Sequence, residues 1–325
     1  MSRLNEIRMI ARVAQMYHLE NQRQADIARH MRISQATVSR MLKRALEEEI
    51  VRTTVVAPSG TYADLEAGLR SKFGLSEAIV VECSEDREGA IMARIGEAAA
   101  HFVEATLQQG EIIGVSSWSE TILKMVENIH PMKSGKAKLV VQTLGGMGDP
   151  TVQIHANHLT TRLAKLTGAE AHLLSAPGVA QSREAKLVLL GDIYVRETME
   201  LFDKVTLAIV GIGAIEPSGM LARSGNVFAN RELAEVRELG GVGDMSLRFF
   251  DADGQPVKTP LDDRVIGMTL EELSGIDRVI ALAGGKSKTR AIHGALKVGV
   301  IDLLVTDKFT AERLVSGELD LTETE

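Results

Sequence analysis

From residue 61 onward the chain repeats one pattern: a short apolar run, a loop rich in Gly or small polar residues, then a stretch with helical periodicity. The runs are 78–81, 112–115, 139–141, 171–174, 207–210, 279–282 and 303–305, and helical patterns occupy 88–108, 119–129, 153–167, 182–200 and 288–297. Uninterrupted Val/Ile/Leu/Ala runs fit strands buried on both faces, and strands alternating with helices build a mostly parallel sheet with helices on each side. A doubly wound α/β body is therefore the predicted fold of residues 61–325. Ligands of such sheets sit beyond the carboxyl ends of the strands, so the loops there are the first places to look for function.

The first fifty-odd residues follow a different pattern. The whole chain of 325 residues carries −7, yet residues 1–46 hold nine Lys/Arg against three acids, a local +6 on a body of −13. A basic head on an acidic body suits a protein of which one end meets a polyanion. Leu4, Ile7, Ile10, Ala11 and Ala14 predict a helix over 4–17, and a second helix runs from Gln22 to about His30. After the turn at Met31-Arg32-Ile33, Ser34 is placed to cap a third helix. On that helix Val38 and Leu42, with Met41 and Ala45, point inward. Gln35, Ala36, Thr37, Ser39, Arg40, Lys43 and Arg44, with Ser34 before them, are left for a major groove, where Gln reads adenine, Arg reads guanine, and Ser, Thr and Lys hold phosphates. The spacing A-D-I-A-x(5)-S-Q-A-T-V-S-R-x-L predicts a helix-turn-helix, and the β-branched stretch 50–56 suggests the strands of a wing. The predicted division is a DNA-binding domain over 1–57, a linker at 58–60 (Pro-Ser-Gly) and an effector-binding, oligomerising domain over 61–325.

Other classes find little support. No apolar run approaches the roughly 18–20 residues of a membrane span, and the charged N-terminus does not read as a secretory signal. A single cysteine, Cys83, rules out an intrachain disulfide and any multi-cysteine zinc site and reads as a small core residue. A cytoplasmic location is expected. His155 and His158, three apart on a predicted helix, fit a solvated face better than a metal site. Neither a nucleophile elbow nor a dinucleotide fingerprint is present. The expectation is a protein without catalytic residues, cofactor or metal.

Several polar loops should converge at the strand ends: 116–121 (Ser116, Ser117, Trp118, Ser119, Glu120, Thr121), 142–148, 211–213, 284–288 and 306–308. Hydroxyls at a helix N-terminus suit an anionic or hydroxylated ligand, and Trp118 reads equally as core or as a stacking wall.

Taken in order, ADIARHMRISQATVSRMLKRALEEEIV, GVSSWSET, VVQTLGGMG, IHANHLTTRLA, LLSAP, LAIVGIGAI, GGVGDMSLRFFDADG, LDDRVIGMTLEEL, VIALAGGKSKTRAIHGAL and LLVTDKFTAERL resemble the SorC family of bacterial sugar-responsive transcription regulators. The resemblance spans essentially the whole chain. It implies a body similar to sugar-phosphate isomerases and deaminases but used for sensing. It also implies assembly as a homodimer or homotetramer, and operator binding gated by a sugar, polyol or sugar phosphate. By position it implies an effector site from 116–121, Gln142, Gly145, Gly146, Gly211, Gly213, Asp244, Arg264, Lys288, Thr306 and Asp307. Many relatives have a glycine and a small or basic residue where this chain has Ser119-Glu120. A carboxylate about 5 Å from a phosphate costs on the order of 3 kcal/mol per charge at an effective dielectric near 20, so a neutral sugar or polyol is the expected effector. The alternative from another class is an active sugar-phosphate isomerase or deaminase with a regulatory DNA-binding head.

Overall fold

The computed structural model describes residues 3–51, 61–132 and 135–319. Of the stretch 50–56 expected to supply wing strands, Ile50 and Val51 are described and form no strand; residues 52–56 and the 58–60 linker lie outside the described residues. The chain divides into two compact units, Met1–Pro58 and Ser59–Glu325.

Among its described residues the first unit packs three helices, α1 (Arg3–His18), α2 (Gln24–Met31) and α3 (Gln35–Glu47). Arg32 ends α2 in a left-handed conformation with φ 55°, and its N–H closes on Ala28 and Arg29 carbonyls. Ser34 caps α3, its Oγ accepting from the Thr37 N–H at 3.1 Å. The core is Ile10, Val13, Ala14, Met16, Ile27, Ala28, Val38, Leu42 and Ala45. On α1 the buried stripe starts a turn later than the periodicity suggests. Leu4 is 58% exposed, because the buried residues of this core begin at Ile10.

The second unit is built on seven parallel strands: β1 (Glu77–Val81), β2 (Glu111–Val115), β3 (Ala137–Gln142), β4 (Glu170–His172), β5 (Leu207–Gly211), β9 (Arg278–Leu282) and β10 (Leu303–Asp307). All seven coincide with the apolar runs. Their order is β1-β10-β9-β5-β2-β3-β4. One face carries α4 (Ala63–Phe73), α13 (Thr289–Val298) and α14 (Lys308–Ser316), with Leu69, Ile292 and Leu314 in its core. The other carries α5 (Glu88–Thr106), α6 (Glu120–Asn128) and α7 (Pro150–Thr167), with Ile95, Met125 and Leu159 in its core. From β2 the chain winds outward through β3 and β4, and from β5 it winds the other way through β9 and β10. The order thus reverses between β2 and β5, and a crevice opens there at the strands' carboxyl ends.

Two departures from the expected pattern matter. The pattern over 182–200 is two helices, α8 (Arg183–Leu190) and α9 (Ile193–Met199), because Asp192 caps a fresh helix by accepting from the Tyr194 and Val195 N–H groups. Beyond β5 lies a three-stranded antiparallel sheet: β6 (Gly213–Ala214), β7 (Gly241–Met245) and β8 (Arg248–Asp251). Helices α10 (Gly219–Ser224) and α11 (Asn230–Glu238) fill the β6–β7 connection, and α12 (Leu270–Ser274) precedes β9. None of the described helices is long and apolar enough to cross a membrane.

Candidate functional site: a polar cleft at the strand switch point

A cleft of about 230 Å³ opens above β2 and β5. This is below the roughly 300–1,000 Å³ of sites for drug-sized ligands and suits one small polar molecule. Loop 116–121 forms one wall. Ser117 is fully buried and donates to the Leu144 carbonyl at 2.9 Å, and Trp118 Nε1 donates to the Gly145 carbonyl at 2.8 Å. These bonds fix the loop from below, so that Ser116, Trp118, Ser119, Glu120 and Thr121 line the cleft. Trp118 is both core and wall, 4% exposed in an apolar cluster yet bordering the cavity. Ser119 caps α6.

Gly211, Gly213 and Asp244 form the second wall. A Cβ on Gly211 would stand 2.8 Å from Ser119 Oγ, and one on Gly213 would collide with Asp244 Oδ1. Glycine at 211 lets the two walls come this close, and glycine at 213 makes room for Asp244 within the second. Asp244 Oδ2 accepts from the Leu247 N–H at 2.8 Å. Burial pushes its carboxyl up to about 6, against the opposing pull of that hydrogen bond and the Lys288 charge. Lys288 lies 3.7 Å from Glu88 and completes the rim from the Lys286–Lys288 turn.

Of the other residues singled out in the sequence, the structure sends several elsewhere. Gln142 is buried, its Oε1 accepting from the Leu174 N–H at 2.9 Å. Gly145 and Gly146 pack against Pro177 and Gln142, leaving no room for a Cβ. Arg264 donates to the Ala180 carbonyl and to Glu232 and lies over the Phe228 ring. Thr306 and Asp307 are fully buried, and Asp307 caps α14 while accepting from the Gly285 N–H. None of these seven, Ser117 included, lines the cleft. Conversely, Glu88, Met92, Ser218, Ser246 and Leu247 do line it. Nothing in their local sequence signals this; α5, the cap of α10 and the β7–β8 turn bring them in.

Cys83 is buried, as a core residue should be, and His155 and His158 sit exposed on α7. Among the described residues no cluster of three or more His, Cys, Asp or Glu could hold a metal ion. In the head, Gln35, Ala36, Ser39, Arg40 and Lys43 are exposed on α3, as is Ser34 before it. Thr37 is half-buried and bonded to Ser34. Arg44 gives its guanidinium to Glu6 and Glu48.

The profile of the family described as "Putative sugar-binding domain" matches residues 58–316, and that of the MarR family matches 12–54. The chain is 30% identical to the deoxyribonucleoside regulator of Bacillus subtilis, over 93% of this chain and 96% of the relative. It is 30% identical to the erythritol catabolism regulatory protein EryD of Brucella abortus, over 94% and 95%. Against the crystal structure of the full-length sorbitol operon regulator SorC from Klebsiella pneumoniae, the TM-score is 0.71 at 30% identity, over 95% of this chain and 98% of that one. The chain belongs to the SorC family. It is a DNA-binding transcription regulator, with a helix-turn-helix head and an α/β sugar-binding body.

Proposed function

We propose that this SorC protein senses a neutral sugar or polyol in the switch-point cleft and that occupation of the cleft changes operator binding by the head. One observation supports the neutral ligand most directly: among the described residues, Glu88, Glu120 and Asp244 border the cleft against a single cation, Lys288, which already faces Glu88. A phosphate would meet more carboxylates than cations, whereas hydroxyls donate well to carboxylates. The names of relatives, a sorbitol operon regulator and an erythritol catabolism regulator among them, fit this class of effector and fit sensing rather than turnover. Coupling requires the effector to favour one assembly over the other, by 1–3 kcal/mol in typical allosteric systems.

Trp118 is the only tryptophan, so its emission reports on cleft occupancy. Titration with erythritol, ribitol and sorbitol is expected to shift it, with at least one neutral compound binding tighter than every matching phosphate. A phosphate that binds tenfold tighter than all neutral compounds refutes the neutral-ligand reading.

We further propose that the body (61–325) self-associates to present paired heads (1–57), since half-sites one helical turn apart need two heads about 34–36 Å apart. The candidate face is α8–α9, where Leu187, Val188, Ile193 and Tyr194 are each at least half exposed. Arg183, Glu184, Arg196 and Glu197 flank them, so a two-fold copy can match opposite charges. Sedimentation of the full chain should show an oligomer that Val188→Glu with Tyr194→Asp converts to a monomer that keeps its folded circular dichroism spectrum, melting lower only by the lost association. A wild type that is monomeric at micromolar concentration contradicts self-association, and an unaltered variant contradicts this face.

A further inference from the structure

Away from the cleft, α7 presents an outer face of one sign. Between Pro150 and Thr167 it carries no Asp or Glu, while His155, His158, Arg162 and Lys165 recur at spacings of three, four and three. That spacing puts them on one side of the helix, in a chain of net charge −7. The face ends at a cavity of about 580 Å³, with Arg162 and Lys165 on one side and Glu127 and the 128–131 segment on the other. This is within the roughly 300–1,000 Å³ of small-molecule sites. Helix α6 starts at the cleft, where Ser119 caps it, and runs nine residues, about 13 Å, before its end walls this cavity. The cleft and the cavity share a helix but no lining residue.

Among the described residues of the body, Arg162 is the one half-buried Arg or Lys without an ion pair or a hydrogen bond. Arg264 and Arg278, also half-buried, hold Glu232 and Glu111. A cation drawn from water without a partner costs free energy, and the helix end does not account for it. Lys165 sits in the last turn of α7, where a cation complements the dipole, but Arg162 lies further back. The last carbonyls are bonded by backbone: Ala164 accepts from the Gly168 N–H, Leu166 from Met132 and Thr167 from Lys136. Nearby acids are engaged as well. Glu127 pairs with Lys124 at 2.8 Å, and Glu104 meets His130 Nδ1 at 3.1 Å. Arg162 and Lys165 thus stand at the cavity as two cations with no acid of their own among the described residues.

We propose that this cavity is a second ligand site, for a phosphate monoester, in which Arg162 and Lys165 hold the phosphoryl group. A guanidinium offers paired N–H donors that match two phosphoryl oxygens, and an ammonium adds a point charge. Two uncommitted cations balance a dianion better than the single charge of a carboxylate, and a phosphate monoester is mostly dianionic above its second pKa of about 6. Ile129, Pro131 and Leu166 supply apolar wall for the organic part. The site stands independently of what the cleft binds. The full-length wild type, Arg162→Gln and Lys165→Gln are titrated by calorimetry with inorganic phosphate, glycerol phosphate and acetate at low salt and pH 7.5. Melting curves and Trp118 emission are recorded alongside. The Arg162 side chain bonds nothing among the described residues, so glutamine there should leave the fold intact. Should the melts show otherwise, the exposed Lys165→Gln decides alone.

One phosphate or glycerol phosphate should bind per wild-type chain, about tenfold or more tighter than acetate, and raise the melting temperature. Arg162→Gln should weaken this binding by about tenfold or more, as for charge-assisted hydrogen bonds left unmade. Lys165→Gln should weaken it by about threefold, as for an exposed charge. Trp118 emission should stay unmoved, because Trp118 borders the cleft and not this cavity. A wild type that takes up neither phosphate compound at millimolar concentration overturns the proposal, and so does acetate bound equally well. Equal phosphate affinity in all three proteins also overturns it. If Trp118 emission shifts in that case, the anion sits in the cleft, which counts against the neutral-ligand reading too.

Discussion

Asp244→Asn should make the protein more stable at pH 7.5, by up to about 3 kcal/mol, while weakening effector binding. The folded protein holds the Asp244 carboxyl at about 6, against an ordinary 3.8. The native state therefore binds this proton more tightly than the unfolded chain does. Below pH 3.8 both states are protonated and Asp244 costs nothing. As the pH rises from 3.8 to 6 the unfolded chain ionises first, and native stability declines across that window. Above it the penalty is complete, at roughly 1.4 kcal/mol for each of about two units. Asparagine removes the charge and retains an oxygen that can accept from the Leu247 N–H. Denaturant unfolding at pH 3.5 and 7.5 measures the effect: the variant should gain only at the higher pH. An equal gain at both would refute the assignment of the cost to ionisation. Wild-type effector affinity should correspondingly fall as the pH drops through 6, because the proton goes to the oxygen that Leu247 does not engage and turns it from acceptor to donor. A carboxylate kept in a cleft at such a cost, with no cation bonded to it among the described residues, is what a ligand-binding role predicts.

The parallel sheet was legible because strands buried on both faces have no alternation to disguise them; runs such as 207–210 and 279–282 are apolar throughout. The antiparallel sheet was not. β6 has two residues, β7 reads Gly-Val-Gly-Asp-Met, and the Ser246-Leu247 turn carries no Gly or Asn to announce a hairpin. The cleft was half legible for a related reason. Sequence locates the carboxyl ends of strands, but only strand order says which ends flank the crevice. Ser116 and Gly211 follow or end β2 and β5 beside the switch point, and both line the cleft. Gln142 ends β3 and Asp307 ends β10, farther along the sheet, and their polar groups satisfy neighbouring backbone. Glu88 was invisible because no local pattern relates the start of α5 to Lys288, two hundred residues on.

Operator affinity should be the property of this regulator most sensitive to conditions. A pair of heads making about six phosphate contacts is expected to lose on the order of a thousandfold between 50 and 200 mM salt, as counterions released on binding return. The single-residue effects should divide by what each side chain is free to touch. Gln35 and Arg40 stand exposed near the start and middle of α3, where base edges are read. Each alanine variant should cost about 1–3 kcal/mol and relax the preference at one base pair. Lys43, exposed and 3.7 Å from an equally solvated Glu47, too far for a hydrogen bond, should act on phosphate: Lys43→Ala weakens all sequences alike and lowers the salt slope by about one per head. Arg44 is the informative contrast. Its guanidinium is engaged by Glu6 on α1 and Glu48 just past α3, and those bonds raise its already high pKa. Arg44→Ala should therefore loosen the packing of α1 on α3 and leave the salt slope close to that of the wild type. Fluorescence anisotropy with operator and scrambled duplexes at four salt concentrations separates these cases. A flat salt dependence, or unchanged base preference in both Gln35→Ala and Arg40→Ala, would remove α3 as the reading helix. A slope that falls as much for Arg44 as for Lys43 would mean that Arg44 leaves its glutamates to bind DNA.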